Sequence, residues 1–125
     1  MIDNKHVFSD AQLITADAAS TNSIKNPAAT HQIWQAVKKF FVKATVGTTF
    51  AGGTSLVTSL QDSADGITYA NTLIVSADIA QATLVAGYEI LYHFLPIGLL
   101  QWFQFYYDDT GAFSSGAVNA WVDVD

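Results

Sequence analysis

The chain has 125 residues, half of them hydrophobic, and it carries a formal net charge of −6 at pH 7. This length suits a single domain with one core. The five basic residues are all lysines and are outnumbered by eleven acidic residues. We therefore expect no binding to nucleic acid, which needs a basic face. The absence of cysteine excludes disulfide bonds and thiolate chemistry.

The first 23 residues are predominantly polar and contain few large apolar side chains. Such a segment buries too little apolar surface to offset the entropy lost when it becomes ordered on its own. We therefore predict that residues 1–23 form an extended N-terminal arm and that residues 24–125 form the folded domain. The apolar side chains that would anchor the arm in a neighbouring subunit are Val7, Phe8, Leu13 and Ile14.

Residues 30–38 allow two interpretations, a short amphipathic helix or a strand. Ile33 and Val37 lie at helical spacing behind Thr30, a residue type that caps helices. From residue 40 onward, however, apolar residues alternate with mostly polar ones, which predicts a strand. The residues expected to face inward on this strand are Phe40, Val42, Ala44 and Val46.

The stretch TTFAGGTSLVTSLQDSADG, residues 48–66, predicts a bend, a strand and a turn in succession. The glycine pair at 52–53 marks the bend. Alternation from Leu56 onward then predicts a strand with Leu56, Thr58 and Leu60 on one face and Val57, Ser59 and Gln61 on the other. The Asp-Gly pair at 65–66 suits a turn that needs positive φ.

Later alternating stretches predict further strands. They lie around Leu73 and Val75, from Tyr88 to Leu95, from Trp102 to Tyr107 and from Gly116 to Asp125. Strands at intervals of about ten residues, separated by Gly and Asp turns, are typical of an antiparallel sandwich or barrel. No repeat or linker divides the sequence. It therefore predicts an all-β fold with one antiparallel domain.

The segment from Ile90 to Tyr107 has no formal charge over eighteen residues, a length that could cross a membrane as a helix. Pro96 and Gly98 interrupt its centre. Two buried strands joined by a turn at these residues explain the segment better. We therefore expect no membrane binding.

The sequence offers no recognisable catalytic or metal-binding pattern. The three histidines, His6, His31 and His93, lie far apart, whereas metal sites usually pair ligands a few residues apart. Asp108 and Asp109 are adjacent, so on an extended chain they point to opposite faces, and a solvated hairpin turn explains them better than an acid–base pair. No nucleophile motif or phosphate-binding glycine loop is present. We expect no enzyme activity, no catalytic residues, no cofactor and no metal.

Aromatic side chains are the candidates for contacts with a partner. Alternation places Trp121 on the polar face of its strand, and Trp34, Trp102 and Tyr106 could also face outward. Outward aromatic rings suit partner contacts or stacking on sugars, and packing at the core or at a sheet edge is equally open for each. These residues support an alternative function as a carbohydrate-binding or receptor-recognition module.

Three stretches, taken in order, carry a family resemblance. They are FSDAQLITADAASTNSI at residues 8–24, TTFAGGTSLVTSLQDSADG at 48–66, and residues 82–125, which begin ATLVAGYEILYHFLPIG. Together they resemble the Bbp16-like capsid cement proteins of tailed double-stranded DNA bacteriophages. Each stretch is short, so the order and spacing of the set identify the family.

This resemblance implies a small jelly-roll sandwich without enzyme activity. It implies a structural protein of the virion capsid, assembled in the host cytoplasm, that lies on the outside of the shell. The implied partners are several subunits of the major capsid protein and further copies of the chain itself, as a homodimer or homotrimer around a capsid symmetry axis.

Overall fold

A computed structural model describes residues 7–25, 40–69, 71–94 and 102–124. Within these ranges the chain forms ten β-strands and one short 3-10 helix at Gln81–Thr83. The strands are β1 (Val7–Leu13), β2 (Ala18–Ala19), β3 (Ile24–Lys25), β4 (Phe40–Ala51), β5 (Ser55–Ser63), β6 (Asn71–Val75), β7 (Ile79–Ala80), β8 (Glu89–Phe94), β9 (Trp102–Thr110) and β10 (Ser115–Val124). The all-β prediction is confirmed.

The strands form two antiparallel sheets. The first sheet has the order β1-β10-β4-β8, and the second has the order β2-β9-β5-β6, with β3 also pairing β9 and β7 also pairing β5. Three short connections, at residues 14–17, 52–54 and 111–114, lead from one sheet to the other. Because β1 and β4 run parallel to each other and β10 runs against them, all three connections lie at the same end of the molecule. We call this the turn end.

The core lies between the facing sides of the two sheets. Alternate residues of the strands are buried as the period-two pattern predicts. Three strands show this most clearly, with Val42, Ala44 and Val46 of β4, Phe103, Phe105 and Tyr107 of β9, and Val118, Ala120 and Val122 of β10 all buried. Burying a large apolar side chain stabilises the fold by about 1.5–3 kcal/mol, so this two-sided core holds the sheets together.

The N-terminal segment belongs to this core, which corrects the prediction of a free arm for the described residues 7–23. β1 pairs with β10, and Phe8 and Ile14 have no exposed surface. The Phe8 ring meets Phe103 and Phe105 of the opposite sheet edge-on, at centroid distances of 5.6 and 4.7 Å. The N-terminal segment contains few apolar residues, but Phe8 and Ile14 lie at the edges of both sheets and are buried there. Their burial and the β1–β10 hydrogen bonds offset the entropy of ordering.

The stretch of chain after β1 is fixed by hydrogen bonds to both sheets. Ser20 N–H donates to the Phe105 carbonyl at 2.8 Å, and Asn22 N–H donates to the Phe8 carbonyl at 2.9 Å. The Gln12 amide donates to the Ala19 carbonyl at 2.9 Å. Residues 14–25 therefore cross from the edge of the first sheet to the edge of the second and close one side of the molecule.

Two sequence-based questions lie outside the described residues. These are the helix-or-strand alternative at 30–38 and the turn at Pro96 and Gly98. The described ends of the uncharged segment are strands of opposite sheets, β8 and β9. Among the described residues no helix has the length and apolar character needed to cross a membrane.

Candidate interaction surfaces

The outer face of the first sheet carries a row of side chains that crosses all four strands. Alternation buries Val42 and Ala44 and turns Lys43 outward. Trp121 of β10 lies directly opposite Lys43, with Tyr92 of β8 opposite on the other side. Val7 of β1 pairs with Trp121 and completes the row. With the neighbouring Phe41, these side chains form what we call the lysine face: Val7, Phe41, Lys43, Tyr92 and Trp121.

Lys43 lies between two aromatic rings on the lysine face. Its Nζ is 5.5 Å from the ring centre of Tyr92 and 5.6 Å from that of Trp121, within the range of cation–π attraction. The same Nζ lies 3.6 Å from Glu89 Oε1, a partly exposed ion pair that contributes little by itself. Phe41 and Tyr92 pack with ring centres 5.0 Å apart. These contacts fix the rings, and Tyr92 keeps 46% of its surface exposed.

The outer face of the second sheet is aromatic and amide-rich. Trp102, Gln104 and Tyr106 alternate with buried residues of β9, so all three point outward and are only partly buried. Gln61 of β5 lies opposite Gln104, and the Gln104 amide donates to Gln61 Oε1 at 3.2 Å. We call this group the glutamine face: Gln61, Trp102, Gln104 and Tyr106.

Hydroxyl groups border the glutamine face. The Tyr69 hydroxyl donates to Ser23 Oγ at 2.8 Å. Ser23 Oγ in turn donates to Gln104 Oε1, at a longer distance of 3.5 Å. Gln104 is therefore held from two sides, by an amide on β5 and by a hydroxyl before β3.

The Asp-Gly turn after β5 supports the ring of Trp102. Gly66 adopts φ +78°, as the sequence predicts for this turn. A Cβ built on Gly66 would lie 3.2, 3.2 and 3.3 Å from Cδ2, Cε2 and Cδ1 of Trp102. These three atoms belong to the five-membered indole ring, so a point at nearly equal distance from them lies over its face. Gly66 thus packs flat against the indole, and any larger residue would push it away.

Asp65 makes this turn rigid. Its Oδ1 accepts hydrogen bonds from Ile67 N–H at 2.9 Å, Thr68 N–H at 3.0 Å and Ser63 Oγ at 2.7 Å. The backbone N–H groups of Thr68 and Ile67, together with the Ser63 hydroxyl, lower the pKa of the Asp65 carboxyl from 3.8 to about 2. The DSADG motif is thus a self-capped turn that holds a tryptophan.

Aspartates gather at the turn end of the second sheet. Asp17 Oδ1 accepts a hydrogen bond from Asp109 N–H at 2.8 Å. Loss of hydration, followed by the effects of Asp17, raises the pKa of Asp108 and that of Asp109. Asp78 adds to the repulsion felt by Asp108. Asp108 and Asp109 are the strand residues before the turn at 111–114, and within the described ranges no group of three or more residues is arranged to hold a metal ion.

The structure separates the residues that the sequence proposed as partner contacts. Phe8 and Ile14 are core residues and are not available to a partner. Leu13 is 70% exposed at the end of β1. The others divide between the two outer faces: Val7 and Trp121 lie on the lysine face, Trp102 and Tyr106 lie on the glutamine face, and Trp34 lies outside the described residues.

Sequence reasoning missed part of the lysine face. Alternation placed Lys43 and Phe41 outward, but nothing in the sequence showed that Lys43 meets Trp121 or that Phe41 packs on Tyr92. The alternating pattern also placed Tyr92 and Ile90 on the same face of the strand that contains them both. The structure buries Ile90 and exposes Tyr92, because a register shift between Ala44 and Thr45 interrupts the β4–β8 pairing.

The chain was also compared with known protein families and with curated proteins. Residues 8–122 match the family model described as Bbp16. This range includes almost all of both sheets. No curated protein matches the chain.

Proposed function

The chain belongs to the Bbp16 family, and from this premise we propose that it is a structural cement protein of a tailed-phage capsid. In this role it binds the outer surface of the shell, bridges neighbouring subunits of the major capsid protein and stabilises them against separation. The family match is the observation that carries the proposal. The resemblance of residues 8–24, 48–66 and 82–125 to capsid cement proteins supplies the role.

We also propose that the two sheets have jelly-roll connectivity. A jelly roll is an eight-stranded double sheet built from two Greek keys. Counting β2 with β3 as one position, and β7 as an extension beside β6, gives eight positions. The orders 1-10-4-8 and 2-9-5-6 alternate between the sheets as such a fold requires, and this alternation supports the assignment.

The lysine face is the surface we assign to shell binding. Tryptophan and tyrosine are among the residue types that dominate protein–protein binding energy. Trp121 and Tyr92 are held in place by Lys43, so little side-chain freedom is lost when a partner covers them. Many copies repeated by capsid symmetry would each need only a modest contact.

Self-association is the second partner contact in the proposal. A homodimer or homotrimer around a capsid symmetry axis would present several lysine faces to the shell at once, and linked contacts raise the overall affinity. Light scattering of the isolated protein, with cryo-EM of decorated shells, tests this part. A strict monomer in solution together with isolated copies on the shell would contradict it.

Binding to shells assembled without this protein tests the proposed role. The unmodified chain should bind such shells and raise their resistance to heat. Trp121→Ala should weaken binding about 30-fold, as expected for a central contact worth about 2 kcal/mol. Tyr106→Ala, on the opposite outer face, is the matched control and should bind like the unmodified chain.

Two outcomes would count against the proposal at different levels. If the unmodified, folded chain does not bind the shells, the cement role is wrong. If it binds and Trp121→Ala binds equally well, the role stands and the lysine face is not the contact surface.

A further inference from the structure

We propose that the glutamine face is a binding site for neutral oligosaccharides. The proposal is independent of the cement role, because the glutamine face and the lysine face lie on opposite outer sides of the two sheets. Four properties of the glutamine face carry the inference: a supported indole, a second ring along the same strand, amides between the rings, and the neutrality of its four side chains.

The first property is the position of Trp102. Gly66 packs against the face of its five-membered ring, and the side chain is only partly buried. A glycine backing lets an indole lie against the sheet surface, and a packed ring of this kind loses no freedom when a ligand covers it. The C–H groups of a sugar ring carry partial positive charge and are attracted to the negative face of an aromatic ring.

The second property is the spacing of the two rings. Trp102 and Tyr106 are four residues apart on β9 and point to the same side. At about 3.3 Å per residue, their Cα atoms are separated by about 13 Å. This span exceeds a single sugar ring, so a ligand that contacts both aromatic side chains must be an oligosaccharide chain.

The third property is the amide pair between the rings. Gln104 and Gln61 are joined by one hydrogen bond at 3.2 Å. Each side-chain amide has two donors and an oxygen with two lone pairs, so the pair keeps donors and acceptors for ligand hydroxyls. Because this hydrogen bond joins the two glutamines, their amides are oriented before a ligand arrives.

The fourth property is charge. The four residues of the glutamine face are neutral, as are Ser59 opposite Tyr106 and Ser63 opposite Trp102. Charged residues lie at its border, where Lys25 pairs with Trp102 on the other side and Asp65 precedes Gly66 in the supporting turn. The chain as a whole carries −6, and toward the turn end Asp108 is the next outward residue of β9 after Tyr106. This field repels anionic ligands. Stacking rings and neutral amides, within a chain of net negative charge, together fit a neutral, hydroxyl-rich ligand.

Titration of the isolated, full chain with maltohexaose, cellohexaose and chitohexaose tests the proposal. Binding is followed by NMR through the indole N–H signals and the side-chain amide signals. At least one of these probes should shift the signals of Trp102, Gln104 and Gln61, with saturation at millimolar or lower concentration. The signal of Trp121, on the other outer face, should remain in place.

Variants separate a binding role from a structural one. Trp102→Ala should reduce binding at least tenfold, and Tyr106→Ala and Gln104→Ala should each weaken it with the fold intact by circular dichroism. Trp121→Ala is the matched control and should bind the sugar normally. Using three residues keeps the test valid if the Trp102 variant disturbs the neighbouring turn.

Several results would overturn this inference. They are the absence of saturable binding by all three probes, sugar-induced shifts that avoid the glutamine face, and preferential binding of a sialylated or sulfated oligosaccharide. If Trp102→Ala weakens shell binding instead, the glutamine face is a protein contact. Failure of sugar binding leaves the shell-binding assay unaffected, so the two proposals fail separately.

Discussion

The hydroxyl of Tyr107 lies 2.8 Å from Ser9 Oγ and joins the edge strand of the first sheet to the second strand of the other. Ser9 Oγ donates its only proton to Gln12 Oε1 at 2.6 Å. Tyr107 is therefore the donor in the bond to Ser9. Thr21 N–H also donates to Gln12 Oε1, at 2.8 Å. A chain of hydrogen bonds thus ties β1, the crossing segment and β9 together inside the molecule.

Removing this donor should weaken the fold. Tyr107→Phe leaves the ring in place but deletes the hydroxyl, and we expect a loss of about 1 kcal/mol in the free energy of unfolding. Tyr106→Phe, on the partly exposed outer face, is the control and should change little. Urea unfolding of both variants measures the difference. Equal stability of the two would show that the Ser9 bond contributes nothing net.

Alkaline pH should lower the stability of the fold through ionisation of the Tyr107 hydroxyl. Burial raises the pKa of Tyr107 above its ordinary value of 10.0. The folded state then holds the proton more tightly than the unfolded state, so this stabilisation is fully present below pH 10 and is lost as the pH rises beyond it. Melting temperatures of the unmodified protein should fall more steeply above pH 10 than those of Tyr107→Phe. Parallel curves would contradict this.

The core position of Phe8 gives a prediction opposite to that of a free arm. Phe8→Ala should cost about 3–5 kcal/mol, because it empties a fully buried site packed against two rings. Leu13→Ala, in the same strand but 70% exposed, should stay within about 0.5 kcal/mol. Thermal unfolding distinguishes the two. If Leu13→Ala lost much stability and Phe8→Ala lost little, the assignment of Phe8 to the core and Leu13 to the surface would be wrong.

Neutralising Asp17 should stabilise the turn end at neutral pH. Asp17→Asn keeps an oxygen for the Asp109 N–H but removes the negative charge that raises the pKa of Asp108 and of Asp109. A carboxyl with a raised folded pKa destabilises the native state once it is ionised. The melting temperature should therefore rise at pH 7, and the gain should shrink in high salt and vanish once the carboxyls are protonated. A gain that persists in acid would require another cause.

Gly66 offers a test of the support under Trp102. Gly66→Ala adds strain at φ +78° and a methyl group against the indole. Gly87→Ala adds similar strain at φ +92° but meets nothing within 4 Å. The strain alone should lower the free energy of unfolding of each variant by about 1 kcal/mol. Only Gly66→Ala should also move the Trp102 indole N–H signal in NMR spectra. A shift of equal size in both variants would mean that the methyl group does not act through the ring.

The sequence predicted those parts of the fold that follow an unbroken period of two. The inner residues of β4, β9 and β10 whose burial is described lie where alternation placed them, and Leu56 and Leu60 of β5 share one buried face. β1 was not predicted, because register shifts between Val7, Ser9 and Gln12 interrupt its pairing with β10. The neighbouring residues Phe8 and Ser9 are both buried, so burial in β1 does not alternate. Local patterns cannot reveal such irregularities, because they arise from the partner strand.

The sequence partly predicted which residues point outward, but it did not predict which of them share an outer face. The alternating pattern predicted that Trp102, Tyr106 and Trp121 point outward. Only strand order shows that the first two share a surface and that Trp121 lies on the other sheet. In the same way, DSADG reads as a turn from its residues alone, whereas its contact with Trp102 depends on the pairing of Ser63 with Trp102.

The pairing of β1 with β10 has a consequence for the order of events during synthesis. Val7 finds its partner Trp121 more than a hundred residues later, and β4 also needs β10 between itself and β1. A ribosome-bound chain that has not yet released residues 115–124 lacks the strand that joins these two. Folding through such distant contacts is slow, because the entropy of closing the long intervening loop is lost before the stabilising contacts form. The nascent chain would therefore expose unpaired strands until residues 115–124 have left the ribosome.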